Sequence, residues 1–173
     1  MTLYALGDWE PDIDPSAFVH PDAVIIGRVK IGAESSVWPH AVLRGDNEAG
    51  IWIGDRSSIQ DGTVVHATPV LPTIVGDDCV IGHLAHLEGC TIEDGALVGS
   101  GAVVLHKAVI GTGALVGAGA VVPDNMSVPA EMMAFGVPAK VRDGGPRREH
   151  IERGAKEYLA KGRRYKAELR RID

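Results

Sequence analysis

From Ile92 onward an aliphatic side chain recurs every sixth residue, at Val98, Val104, Ile110, Val116, Val122 and Val128. Four places after each of the first five stands an alanine: Ala96, Ala102, Ala108, Ala114 and Ala120. A helix repeats near 3.6 residues and a strand near 2, so neither produces a clean six. One short strand plus one tight corner does. Three such units make a triangular coil, with the aliphatic residue inward and the alanine filling the narrow corner, which is the pattern of a solenoid.

The same beat runs through the first half. Ile13, Val19, Ile25, Ile31, Val37 and Leu43 keep it, with small or branched residues four later at Ala17, Ala23, Val29, Ser35 and Ala41. Arg44–Trp52 breaks the count, which resumes at Ile53, Ile59 and Val65; Ala67–Ile74 breaks it again before Val75, Ile81 and Leu87, and a one-residue slip leads to Ile92. Both breaks are expected to be loops leaving the coil, where function concentrates. The expected fold is an all-β solenoid over residues 1–145, followed by a C-terminal α-helix over 146–173.

That helix is predicted from Pro146 in a first turn and an apolar stripe of Ile151, Ala155, Tyr158, Gly162, Tyr165, Leu169 and Ile172. Charge divides at the same place. Residues 1–139 hold 5 Lys/Arg against 17 Asp/Glu, and residues 140–173 hold 12 against 6, giving the net −6. An acidic main body repels phosphate, so the basic helix is expected to dock on the solenoid rather than bind nucleic acid.

Composition adds three exclusions. Aromatics are only 5% of the chain, so a core built of large rings is ruled out. Gly95–Val122 is apolar, but His106, Lys107 and regularly spaced glycines interrupt it, which argues against a membrane span. Met1–Glu10 shows neither a basic start nor an apolar run, so no secretory signal is expected and the cytoplasm is the default compartment. Cys79 and Cys90 occupy small inward positions and are expected to be buried free thiols.

Assigning the sixes to three faces puts Val37, Ile59 and Ile81 on one face and Leu43, Val65 and Leu87 on the next. The residue after each inward aliphatic points outward. The second face therefore carries Arg44, His66 and Glu88, stacked about 4.8 Å apart, between Ile26 and Leu105. The first carries Trp38, Gln60 and Gly82, with His83 adjoining. His66, Glu88 and His83 are able to bind a metal, and His83, starting from another face, would come most easily from a neighbouring subunit. Two histidines and a glutamate with one open position make a catalytic zinc shell. His20, His40, His106 and His150 are expected to be surface or structural residues.

Arg44-Gly45-Asp46, Gln60-Asp61, His66, Gly82-His83 and Gly89-Cys90, in this order, resemble the gamma-class carbonic anhydrases and their close relatives over roughly residues 10–145 plus the trailing helix. The resemblance implies a left-handed β-helix, a homotrimer, zinc (or another divalent metal such as iron(II)) between subunits, and carbon dioxide and bicarbonate as substrates. By position, His66 and His83 resemble two of three ligands, and Arg44 with Asp46 the intersubunit ion pair that orders the interface. Gln60 resembles the residue that hydrogen-bonds the metal-bound water, and Asp61 its neighbour in that network.

The third ligand departs from the family. Its histidine, five places after the second ligand, is Glu88 here, and His86 stands two residues before. Both flank the inward Leu87 and point outward; register favours Glu88, ligand chemistry favours His86, and a chain without a competent metal site is the third alternative. An anionic ligand partly neutralises zinc, so hydration is expected to be weak near neutrality. The loops near the site also lack the glutamates of the best-known members, apart from Glu48, which argues against fast proton shuttling. Two other classes remain open. One is a non-catalytic trimer that binds metal or a partner, as among relatives encoded beside carnitine or phenylacetate pathways. The other is an acyl-CoA transferase or thioesterase, although neither Gly45–Trp52 nor Ala67–Ile74 supplies the loop histidine such transferases use.

Overall fold

The computed structural model describes residues 1–143, 145 and 148–173. Strands of two to four residues alternate among three parallel sheets that close a triangular prism, a left-handed β-helix. One sheet, called here the site sheet, stacks Thr2–Tyr4, Val24–Gly27, Val42–Gly45, Val64–His66, His86–Glu88, Val103–Val104 and Val121–Val122. A second, the helix sheet, begins with Phe18–Val19, Ser36–Val37, Ser58–Ile59 and Val80–Ile81. The third includes Val29–Ile31, Ile51–Ile53 and Thr73–Val75.

The sixfold beat is the core. Every beat residue from Ile25 to Val128 is sealed from solvent, and the five alanines between Ala96 and Ala120 are fully buried. Ile13 and Val19, at the open first coil, are only partly covered. Each sealed aliphatic side chain contributes roughly 1.5–3 kcal/mol by leaving water, so the stack supplies what the few aromatic rings do not. Where the small corner position is polar, it is satisfied along the coil axis. Ser35 Oγ donates to Gly54 O at 2.6 Å, Ser57 Oγ to Gly76 O at 2.7 Å, and Thr63 Oγ1 to Gly82 O at 2.9 Å.

Cys79 and Cys90 are free and buried, and burial pushes both thiols up to about 12, which keeps them protonated and inert. Gly95–Val122 is a run of two-residue strands; among the described residues no helix is long and apolar enough to cross a membrane.

Three boundaries differ from the sequence expectation. The breaks are shorter: Arg44, Gly45, Ile51 and Trp52 lie in strands, as do Thr73 and Ile74, leaving 46–50 and 67–72 as the excursions. A strand keeps pairing for a residue or two beyond its inward side chain, which a hydrophobic count does not register. Thr2–Tyr4, outside the count altogether, adds a strand in register with Val24–Ile26. At the other end Met133–Phe135 pairs antiparallel with Lys140–Arg142, a hairpin that caps the last coil.

The C-terminal helix runs Arg148–Glu168 and lies on the helix sheet; the expected first-turn residue, Pro146, is outside the described residues. Ile151, Ala155 and Gly162 are buried, and Tyr158 and Tyr165 meet Trp38 edge-on at 5.6 and 5.0 Å. Trp38 Nε1 in turn lies 3.0 Å from the hydroxyls of Ser36 and Ser58. Leu169 and Ile172 lie past the helix end and are exposed, so the stripe stops one turn early. The basic side faces acid and carbonyl groups as the charge division suggests: Arg163 pairs with Glu34 at 2.6 Å and Lys166 Nζ donates to Ala17 O at 2.9 Å.

Candidate metal centre

Register places the outward residues. His66 pairs with Arg44 on one side and Glu88 on the other, while Ile26 pairs with Arg44 beyond. The column deduced from the sixes is therefore present, with its apolar end. Arg44 Nη1 contacts Asp46 Oδ2 within the same chain. Asp46 Oδ1 lies 3.0 Å from His66 Nε2, and Glu88 Oε1 lies 2.8 Å from His66 Nδ1. The other oxygen of Glu88 is 3.2 Å from His86 Nε2. Arg44, Asp46, His66, Glu88 and His86 thus form one continuous chain of opposite charges and hydrogen bonds.

Partial burial works to raise both carboxyls, but stronger effects hold them below the usual carboxylate range. For Asp46 these are the hydrogen bonds and charges of His66 and Arg44; for Glu88 they are those of His66 and His86. Both acids are anionic at neutral pH and available as ligands.

Backbone and loops brace the cluster. Asn47 Nδ2 bridges Asp46 Oδ1 and Ala67 O, both at 3.0 Å, tying the two excursions together. Thr73 Oγ1 donates to His66 O and accepts from Gly89 N at 2.8 Å. Periodicity does not single out Asn47 or Thr73; their place within the two breaks is the available signal. His106, expected to be structural, also faces the cluster, its Nε2 3.8 Å from Glu88 Oε1. Among the described residues that nitrogen is a buried polar atom with no hydrogen-bond partner.

His83 and Asp61 form a second cluster at the corner between the helix sheet and the site sheet. His83 Nδ1 lies 2.9 Å from Asp61 Oδ2, and Tyr158 OH lies 3.4 Å from His83 Nε2. A carboxylate only accepts, so Nδ1 carries the proton and the lone pair of a neutral imidazole sits on Nε2. Burial, then the charges of Asp61 and Glu157, raise the Tyr158 phenol, which stays a donor. Gln60 is buried in the same column as Trp38, one residue before Asp61.

Among the described residues no three His, Cys, Asp or Glu side chains of one chain are gathered so as to hold a metal ion. His66 and Glu88 supply a nitrogen and a carboxylate oxygen facing each other, and a metal–ligand distance of about 2 Å needs them only to part slightly. His83 shows the arrangement of a metal-binding histidine, one ring nitrogen held by a carboxylate and the other met only by the long 3.4 Å contact to Tyr158 OH, which a metal would displace. The donor set fits a divalent metal, provided that a second chain brings its His83.

Comparison with known proteins agrees with this architecture. The family model described as bacterial transferase hexapeptide (six repeats) matches residues 72–106 and 89–124. The mitochondrial gamma carbonic anhydrase 2 of Arabidopsis thaliana is 39% identical over 166 residues, covering 91% of the chain and 59% of that protein. The protein named "Probable carbonic anhydrase" in Methanocaldococcus jannaschii is 56% identical over 119 residues, covering 69% of the chain and 74% of the relative. A Bacillus cereus crystal structure, provisionally described as an acetyltransferase, superposes with a TM-score of 0.93 at 39% identity, over 96% of the chain and 97% of its own. With its hexapeptide coils and ordered outward residues, the chain belongs to the gamma carbonic anhydrase-like family of hexapeptide-repeat proteins.

Proposed function

We propose that the protein is a metal-dependent homotrimer that hydrates carbon dioxide reversibly to bicarbonate. The observation that carries this reading is the pair Asp61–His83. It presents an imidazole nitrogen, met only by Tyr158 OH at 3.4 Å, at an exposed corner away from the His66–Glu88 pair that would need it. In a three-fold assembly each corner meets the next subunit's site sheet, and three equal sites result. The chain covers 59% of the Arabidopsis relative, and the activity of whole relatives enters here as inference.

His66 and Glu88 of one subunit and His83 of the next would hold zinc or another divalent ion. Glu88 is favoured over His86 because it faces His66 directly, whereas His86 reaches the cluster only through Glu88 Oε2. Such an ion lowers the pKa of coordinated water and thereby supplies a nucleophile for carbon dioxide. The protein's part is orientation. Asp46 holds His66 Nε2, Arg44 neutralises Asp46, and Asp61 holds His83. Gln60 is assigned to orient the attacking water and Arg44 with Asp46 to order the subunit contact. The carboxylate at 88 adds negative charge, so the bound water is less acidic than with three imidazoles, and hydration is expected to be slow at neutral pH and faster in alkali.

The test is metal content and mass together. Protein purified without added metal is expected to be trimeric by light scattering and to carry one zinc or iron per chain. His66→Ala and His83→Ala are each expected to abolish both metal and hydration. A metal-free trimer that binds coenzyme A would instead favour the transferase reading suggested by the Bacillus cereus structure.

A further inference from the structure

One corner of the coil carries two side chains, His40 and Leu84, in backbone that disfavours a Cβ. At the edge between helix sheet and site sheet, His40, Gly62, Leu84, Gly101 and Gly119 stack one above another. Each donates its amide to the coil before: Gly62 to Pro39 O, Leu84 to Asp61 O, and Gly101 to His83 O. All five turn through left-handed backbone, with φ from 59 to 68°. Glycine enters that region freely, whereas a branched side chain with a Cβ is disfavoured there. Leu84 nonetheless occupies it at φ 59°, and 71% of its surface is exposed. Its Cδ2 leans over Gly62, 2.6 Å from where a Cβ would stand. Within one chain the leucine gains little burial in return for the strained backbone and the apolar exposure.

A second solvated apolar side chain lies at the opposite edge of the site sheet. Val70, in the excursion that follows His66, is 81% exposed. Its neighbours are fastened: Leu71 N is held by Thr68 Oγ1 at 2.9 Å and Ala67 O by Asn47. The loop therefore presents Val70 from a braced frame.

Resting on the trimeric reading above, we infer that Leu84 of one subunit packs against Val70 of the next, forming an apolar wall beside the shared metal site. The geometry follows from adjacency. A His83 that reaches the neighbour's His66 carries Leu84 with it, and the chain leaving His66 is the loop that bears Val70. The wall suits a small uncharged substrate such as carbon dioxide and excludes water from one side of the site. It also gives Leu84 the burial that a single chain withholds.

Engineered cross-linking tests this without relying on catalysis. Cys79 and Cys90 are buried, so the double variant Leu84→Cys/Val70→Cys has only two accessible thiols. Mild oxidation with copper phenanthroline is expected to give covalent dimers and closed trimers on a non-reducing gel, with neither single variant forming trimers. A variant that is trimeric by light scattering and yields no cross-link overturns the wall while leaving the trimer standing. A monomeric parent protein overturns both. Leu84→Gly, which relieves the backbone, supplies a second reading. It is expected to raise KM for carbon dioxide with kcat little changed; an unaltered KM marks Leu84 as a turn residue only and overturns the proposal.

Discussion

His66 Nδ1 lies 2.8 Å from Glu88 Oε1, the two residues standing side by side in adjacent coils of one sheet. Where the family resemblance calls for a histidine, this chain puts a carboxylate beside His66. If that carboxylate sets the acidity of the bound water, Glu88→His should shift the hydration profile toward acid, with half-maximal activity near pH 7, about the value imidazole-ligated zinc gives its water. The parent should still be gaining activity well above that pH. Stopped-flow hydration of both proteins decides it, and a parent profile already flat at about pH 7 would sink the argument. His86→Ala should keep its metal; loss of metal in that variant would move the third ligand to His86.

The same carboxylates tie stability to acid. Asp46 and Glu88 are held below the ordinary carboxylate range in the folded state. A lowered folded pKa gives stabilisation that is complete above the unfolded value of roughly 4 and vanishes as pH falls through the folded value. Asp46→Asn, compared with the parent after metal removal by chelation, should therefore melt lower at neutral pH. The gap should close on acidification below about pH 4. A gap that stays constant across that range would show Asp46 acting through packing alone.

Much of this site could be read from the chain because a six-residue period fixes direction as well as burial. Once Leu43, Val65 and Leu87 are inward on one face, Arg44, His66 and Glu88 have no choice but to stack, and they do. Periodicity locates the excursions but overstates their length, since hydrogen-bond pairing runs past the inward Leu43 to Gly45 and starts at Ile51, before the inward Ile53. Asn47, Thr73 and His106 escaped because their roles depend on side-chain reach across loops and coils, which periodicity does not encode. Leu169 and Ile172 keep helical spacing beyond Glu168, yet the helix has ended there; Leu169 stays only partly covered beside the first coil and Ile172 is solvated.

The core predicts an asymmetry between its two kinds of inward position. Ile110→Ala opens a void in a column whose coil spacing is fixed by backbone hydrogen bonds, so the loss should be about 2–5 kcal/mol. Ala102 sits between Ala85 and Ala120 at a corner with no spare width. Ala102→Leu adds volume there, and should cost about 1–3 kcal/mol or more by displacing the coil rather than by losing contact. Denaturant melts of both variants test this; an Ala102→Leu protein as stable as the parent would mean that the corner is looser than its complete burial suggests.

The helix should come away without unfolding the prism. Gly162 faces Ser36, whose Cβ would be 3.3 Å from any added Cβ, and it lies between Tyr158 and Tyr165, which clamp Trp38. A larger side chain has nowhere to go but against the sheet. Gly162→Leu should therefore lift this half of the helix, hydrate Trp38 and shift its emission to longer wavelength. The prism's own hydrogen bonds run between coils and do not pass through the helix, so the far-ultraviolet β signal should persist. The corner that carries Asp61 and His83 would lose its Tyr158 neighbour at the same time. Unchanged tryptophan emission in a folded variant would show that the helix tolerates the added bulk by sliding rather than lifting.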